Sequence, residues 1–139
     1  MTTKEYLSQA FYIDGGINSK LEQLSVLHET ALKATSHLSR TPVSENKDVH
    51  HLEEVICKIL DLESEISGEM KKLLELKKEI MSVISSVGNL DFRTLLEFRY
   101  LCFHSWEKIA VEMGYDKRYI LKMHNRALNF IKVDTKKYL

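Results

Sequence analysis

The sequence predicts an all-α protein, and three features predict it. Apolar residues make up 44% of the 139-residue chain and charged residues 29%, with only five glycines and one proline. That is too apolar for a disordered chain and too poor in turn residues for an all-β domain. Apolar side chains recur at seven-residue intervals from Ala10 to Leu38 and again from Leu52 to Val87, the pattern of long amphipathic helices. The remaining residues read as short helices, two of them joined by a capped turn. The expected architecture is a long helical hairpin or coiled coil over residues 1–88, followed by a three- or four-helix domain with a helix-turn-helix over residues 89–139.

The first helix is expected over residues 3–39. Ala10, Ile17, Leu24, Ala31 and Leu38 keep a strict seven-residue step, and Ile13, Leu21, Leu27 and Ala34 fill in on nearly the same face. Gly15 and Gly16 interrupt it. Adjacent glycines cost about 1 kcal/mol each relative to alanine, which predicts a kink or break near Asp14. The stretch from Ser39 to Lys47 holds Pro42, the sole proline, and no periodicity, so it reads as a loop between two helices.

The second helix carries the clearest period. Leu52, Ile59, Ile66, Leu73, Ile80 and Val87 share one heptad position; Val55, Leu62, Leu76 and Val83 share the position three residues on, where only Glu69 interrupts. This predicts about 40 helical residues, some 60 Å, in a coiled-coil-like pairing. The partner is either the first helix, folded back antiparallel, or the same helix of a second chain. The length of the stripe, with the usual need of helix-turn-helix proteins for two half-sites, predicts a homodimer through the N-terminal helices.

Gly88 gives a C-terminal signal for that helix, and Asp91 is expected to cap the next, Phe92 to Leu101. The chain then offers Ser105 and Asp116 as caps of two further helices, with Gly114 between them. A helix-turn-helix needs a small residue where the helices cross, supplied by Ala110. It needs a left-handed residue in the turn, supplied by Gly114 four positions later. Ile109, Met113, Tyr115, Ile120 and Met123 are expected to point inward and lock the pair.

Projection of the last helix at 100° per residue places Met123, Ala127 and Ile131 on the side of Ile120, with Phe130 at its margin. Arg118, Lys122, Asn125 and Asn129 fall opposite, with Lys117 and Arg126 flanking. Arginine and lysine donate to guanine, asparagine pairs with adenine, and all the cations neutralise phosphates. The candidate DNA-contacting set is therefore Lys117, Arg118, Leu121, Lys122, Asn125, Arg126 and Asn129, on a frame set by Ile109, Ala110, Gly114 and Ile120. Charge agrees with this placement. The chain is neutral overall, but residues 48–90 carry nine acids and five bases, and residues 91–139 six acids and ten bases, so an anionic partner is expected at the C-terminal end.

The segment LLEFRYLCFHSWEKIAVEMGYDKRYILKMHNRALNFI resembles the fourth conserved region of bacterial sigma factors, in which a helix precedes the helix-turn-helix that binds the −35 promoter element. With its long helical N-terminal part, the chain is similar to phage late-transcription regulators of the ArpU and RinA type. The resemblance implies a DNA-binding transcription activator from a phage or prophage, working beside host RNA polymerase. Asp116 departs from the serine or threonine that sigma-like domains often place there, which keeps the cap but sets an acid near phosphates.

Other classes find less support. Cys57 and Cys102 have no metal-ligand spacing and read as small apolar residues in a reduced, cytoplasmic protein. His50 and His51 are adjacent, project about 100° apart and do not suit one ion. His124 reads as a partly buried core histidine and Trp106 as a core or staple residue. There is no phosphate loop, nucleophile triad or paired-carboxylate arrangement, so neither a cofactor nor an enzymatic reaction is expected. No apolar run is long enough to span a membrane. The rival reading is a protein-only adaptor docking on RNA polymerase.

Overall fold

The computed structural model describes residues 1–40 and 45–131, and within them the chain is all-α. Five helices follow in order: α1 (Thr3–Arg40), α2 (Glu45–Ser85), α3 (Leu90–Tyr100), α4 (Trp106–Met113) and α5 (Lys117–Asn129). Residues 41–44, the centre of the expected loop, lie outside the described residues. Of the residues expected in the loop, Ser39 and Arg40 belong to α1 and Glu45, Asn46 and Lys47 to α2.

The chain divides into two compact units, residues 15–72 and residues 1–14 with 73–139. The sequence suggests a boundary near residue 88 instead. The reason for the difference is the core of the second unit, where Tyr6, Leu7 and Ala10 of α1 and Ile80, Ile84 and Val87 share one cluster with Leu95, Leu96, Ile109, Ile120 and Ala127. The outer turns of both long helices thus belong to the same core as α3, α4 and α5.

In the unit of residues 15–72, α1 and α2 run antiparallel. Lys20 of α1 meets Glu69 at 2.5 Å and Glu65 at 3.5 Å, and His28 stands 3.8 Å from Glu63. Ile17, Val55, Ile59 and Ile66 are buried in the seam. The partner of the long stripe is therefore the chain's own first helix, which removes the premise that the row from Leu52 to Val87 stays open for another chain. Glu69, the interruption in the second row, is occupied by Lys20 reaching across the seam. Of the kink or break expected near Asp14, the break does not occur, since α1 is continuous through both glycines. A Cβ at Gly15 would meet nothing within 4 Å and one at Gly16 only the Glu69 carboxylate at 3.8 Å. The propensity cost is small against a helix held by its seam along its length. Leu21, expected inward, is 46% exposed, and Lys20 takes the seam position beside it.

The second unit places the C-terminal helices. At the end of α2, Gly88 is not left-handed; the Val87 carbonyl instead accepts from Arg93 Nε at 3.2 Å and Nη2 at 3.1 Å. The cap of α3 is Asn89 rather than Asp91: its side chain accepts from the Phe92 amide at 3.1 Å, and Asp91 falls in the first turn. There its charge suits the helix dipole. Between α3 and α4, Phe103 takes φ +59°, a left-handed conformation uncommon for a bulky residue. Its ring packs edge-on to Phe11 at 5.8 Å under the Lys77 ammonium at 4.7 Å. Both cysteines are free and exposed. Among the described residues no helix is long and apolar enough to cross a membrane.

Candidate nucleic-acid interface

The turn between α4 and α5 is built from local signals. Ser105 accepts from the Lys108 amide at 3.2 Å and starts α4; Asp116 accepts from the Arg118 amide at 2.7 Å and starts α5. Gly114 ends α4 at φ +73° and ψ +29°, and its amide bonds back to Ala110 and Val111 carbonyls. The neighbouring Tyr115 amide bonds to the Ala110 carbonyl at 3.0 Å. An L side chain at Gly114 pays the left-handed penalty although no atom obstructs a Cβ. Gly114→Val should therefore lower stability by about 1 kcal/mol or more, read from urea unfolding, while Ala110→Leu should cost about 1–3 kcal/mol by overpacking a residue only 8% exposed.

Ile109 and Ile120 are fully buried, and Met123, Ala127 and Ile131 are buried with them. This inward set fixes the rotation of α5. Met113 is half-buried against the same core. Tyr115 is not inward: it is 37% exposed, its hydroxyl donates to Asp91 at 3.3 Å, and its ring lies 4.9 Å from Tyr119. A phenol next to that carboxylate has its pKa raised, chiefly by the carboxylate charge and its hydrogen bond.

The rotation leaves Lys117, Arg118, Leu121, Lys122, Asn125, Arg126 and Asn129 all exposed on α5. The exposed face carries four cations and no acid. Lys117 is not free. Its ammonium lies 2.6 Å from Glu107 of α4, and that hydrogen bond is the main reason the Glu107 carboxyl titrates below its ordinary value. Sequence periodicity places Lys117 beside the stripe but holds no signal of a partner ten residues earlier on another helix. It likewise passes over Tyr119, 46% exposed at the edge of this face.

Beneath the face, His124 is 3% exposed and hydrogen-bonded through Nε2 to the Tyr100 hydroxyl. Trp106 packs edge-on to it at 4.7 Å, with the Arg99 guanidinium 4.2 Å over the indole. Burial first, then the charges of Lys4 and Arg99, push the His124 pKa down to about 4, and burial pushes the Tyr100 hydroxyl up to about 12. The imidazole is thus a neutral core group, more deeply buried than its sequence position suggests. The unfolded chain binds a proton near pH 6.5 that the folded chain refuses until about pH 4, so this contribution is complete above pH 6.5 and is lost as the pH falls between those values. Between pH 7 and pH 5 the loss should be about 2 kcal/mol, measured by urea unfolding, and His124→Gln should flatten that slope.

No family model, curated protein or solved structure matches the chain.

Proposed function

We propose that this chain is a sequence-specific DNA-binding transcription regulator that inserts α5 into the major groove. The observation that supports it is the division of α5 into two faces. Ile120, Met123 and Ala127 lock one face to the core, while Arg118, Lys122, Asn125 and Asn129 line the other. A helix of 13 residues held this way presents about 20 Å of polar edge, enough to follow the groove across several base pairs. Arg118 and Lys122, near the N-terminal end, take the base-reading role, Asn125 and Asn129 continue it, Leu121 borders it, and Lys117 and Arg126 hold phosphates.

The resemblance of the C-terminal segment to the fourth region of sigma factors, and of the chain to ArpU- and RinA-type regulators, supports an activator of phage or prophage genes, acting in the cytoplasm beside RNA polymerase and as a homodimer over two half-sites. The Glu107–Lys117 pair sets a condition on this reading, because a phosphate must displace a carboxylate to engage Lys117. Glu107→Gln should accordingly tighten binding to every duplex, and Lys117→Ala should weaken all sequences evenly. The test is a salt series on duplex DNA. Binding should fall with a slope of about −0.9 per phosphate neutralised; affinity absent at low salt would refute the reading.

A further inference from the structure

The polar stripe of α5 has two unlike flanks. On one side stand Leu121 and Lys117, and the Lys117 ammonium is already held by Glu107 at 2.6 Å. On the other stand Tyr119 and Arg126, seven residues and so two turns apart in line along the helix. Neither the Tyr119 hydroxyl nor the Arg126 guanidinium has a hydrogen bond or an ion pair among the described residues. Tyr119 is 46% exposed, yet its ring is held. The Tyr115 ring lies against it with centroids 4.9 Å apart and planes inclined at 47°. Tyr115 is tied in turn to α3, because its hydroxyl donates to Asp91 at 3.3 Å. Packing therefore accounts for the Tyr119 ring and leaves its hydroxyl without a use.

We propose that the Tyr119 hydroxyl donates to a DNA phosphate, with Tyr115 as the positioning residue that holds its ring, so that Tyr119 and Arg126 grip one strand at two points. The inference rests on the DNA-binding reading above and deepens it by naming a contact that the cationic stripe does not include. A helix in the major groove lies between two phosphate backbones, and contacts to them set its register and orientation. Arg126 alone gives its flank one such contact, which leaves the helix free to tilt. Tyr119 supplies a second about 10 Å away, in the turn that carries Arg118.

The chemistry suits that place. Tyrosine is an ordinary donor to phosphate oxygens, and it has few rotatable bonds to order on binding. Contact with Tyr115 reduces that ordering cost further. Tyr119 projects about 100° from Arg118, away from the centre of the stripe, which favours the backbone over a base edge. On the opposite flank a phosphate must first displace Glu107 from Lys117. The Tyr119 hydroxyl has no partner to give up.

Fluorescence anisotropy of the full-length chain tests the proposal on two labelled duplexes, the one that the wild type prefers and a scrambled one of equal length. Tyr119→Phe keeps the ring and should weaken binding to both by about tenfold. Its base preference and salt slope should not change, because a neutral donor displaces no counterion. Arg126→Ala should also weaken both, but with a slope flattened by about one. Tyr115→Phe should weaken binding about threefold in the wild type and not at all in a Tyr119→Phe background, since it acts through that hydroxyl. Tyr119→Phe that binds as tightly as the wild type overturns the proposal and leaves the DNA-binding reading standing. A loss confined to one base position does the same, because Tyr119 would then read a base. An effect of Tyr115→Phe that persists without the Tyr119 hydroxyl overturns the positioning role. A folded wild type that binds neither duplex at low salt overturns both the proposal and the reading beneath it.

Discussion

Cutting the chain at residue 88 should leave residues 89–139 largely unfolded. Circular dichroism of that segment should show little helix and no cooperative melt, whereas the full chain melts as a folded protein. The physical reason lies in the core: Tyr6, Leu7, Ala10, Ile80, Ile84 and Val87 are each 5% exposed or less, and their cluster includes Leu95, Leu96, Tyr100, Ile109 and Ile120. Removing the first group exposes the second. A segment of about 50 residues is marginal even with its core complete, because so small a chain buries only a modest share of its apolar surface against its chain entropy. A single truncation inside the full chain makes the same point. Leu7→Ala, at a fully buried site near the N-terminus, should cost about 2–5 kcal/mol, and the loss should register in the tertiary signal of Trp106. A segment 89–139 with native helix content would contradict this.

The second large effect is expected at the face of α5. Arg118→Ala combined with Lys122→Ala should weaken binding to a preferred duplex by roughly 30-fold or more, since each base-reading cation is worth about 1–3 kcal/mol. Stability should change by no more than about 0.5 kcal/mol, because both side chains are exposed. The single variant Arg118→Ala should also relax preference at one base position. A folded double variant that binds like the wild type would remove α5 from the reading role.

Much of the fold is legible in the sequence because it rests on local rules. The heptads from Leu52 to Val87 give α2, and the caps Ser105 and Asp116 with Gly114 between them give α4, the turn and α5. The inward set on α5 follows from a 3.6-residue period alone. What escapes the sequence depends on contacts distant along the chain. The burial of Leu7 in one cluster with Leu95 and Leu96 has no local signal. Gly15 and Gly16 look like a break because propensity is local, while the seam that holds α1 together comes from α2. Asn89 and Asp91 are both acceptable caps, and backbone geometry chooses the first. Tyr115 is apolar enough to read as core, yet Asp91 draws its hydroxyl outward. The same holds at the candidate interface: exposure of the seven α5 residues follows from the period, whereas the Glu107–Lys117 pair depends on how two helices cross.

Selection of bound sequences from a pool of random duplex DNA tests the central claim most directly. The full-length protein should enrich a defined motif, and the Arg118→Ala, Lys122→Ala variant, folded by circular dichroism, should fail to enrich it. A folded wild-type protein that leaves the pool random after repeated rounds would contradict the claim that α5 reads DNA.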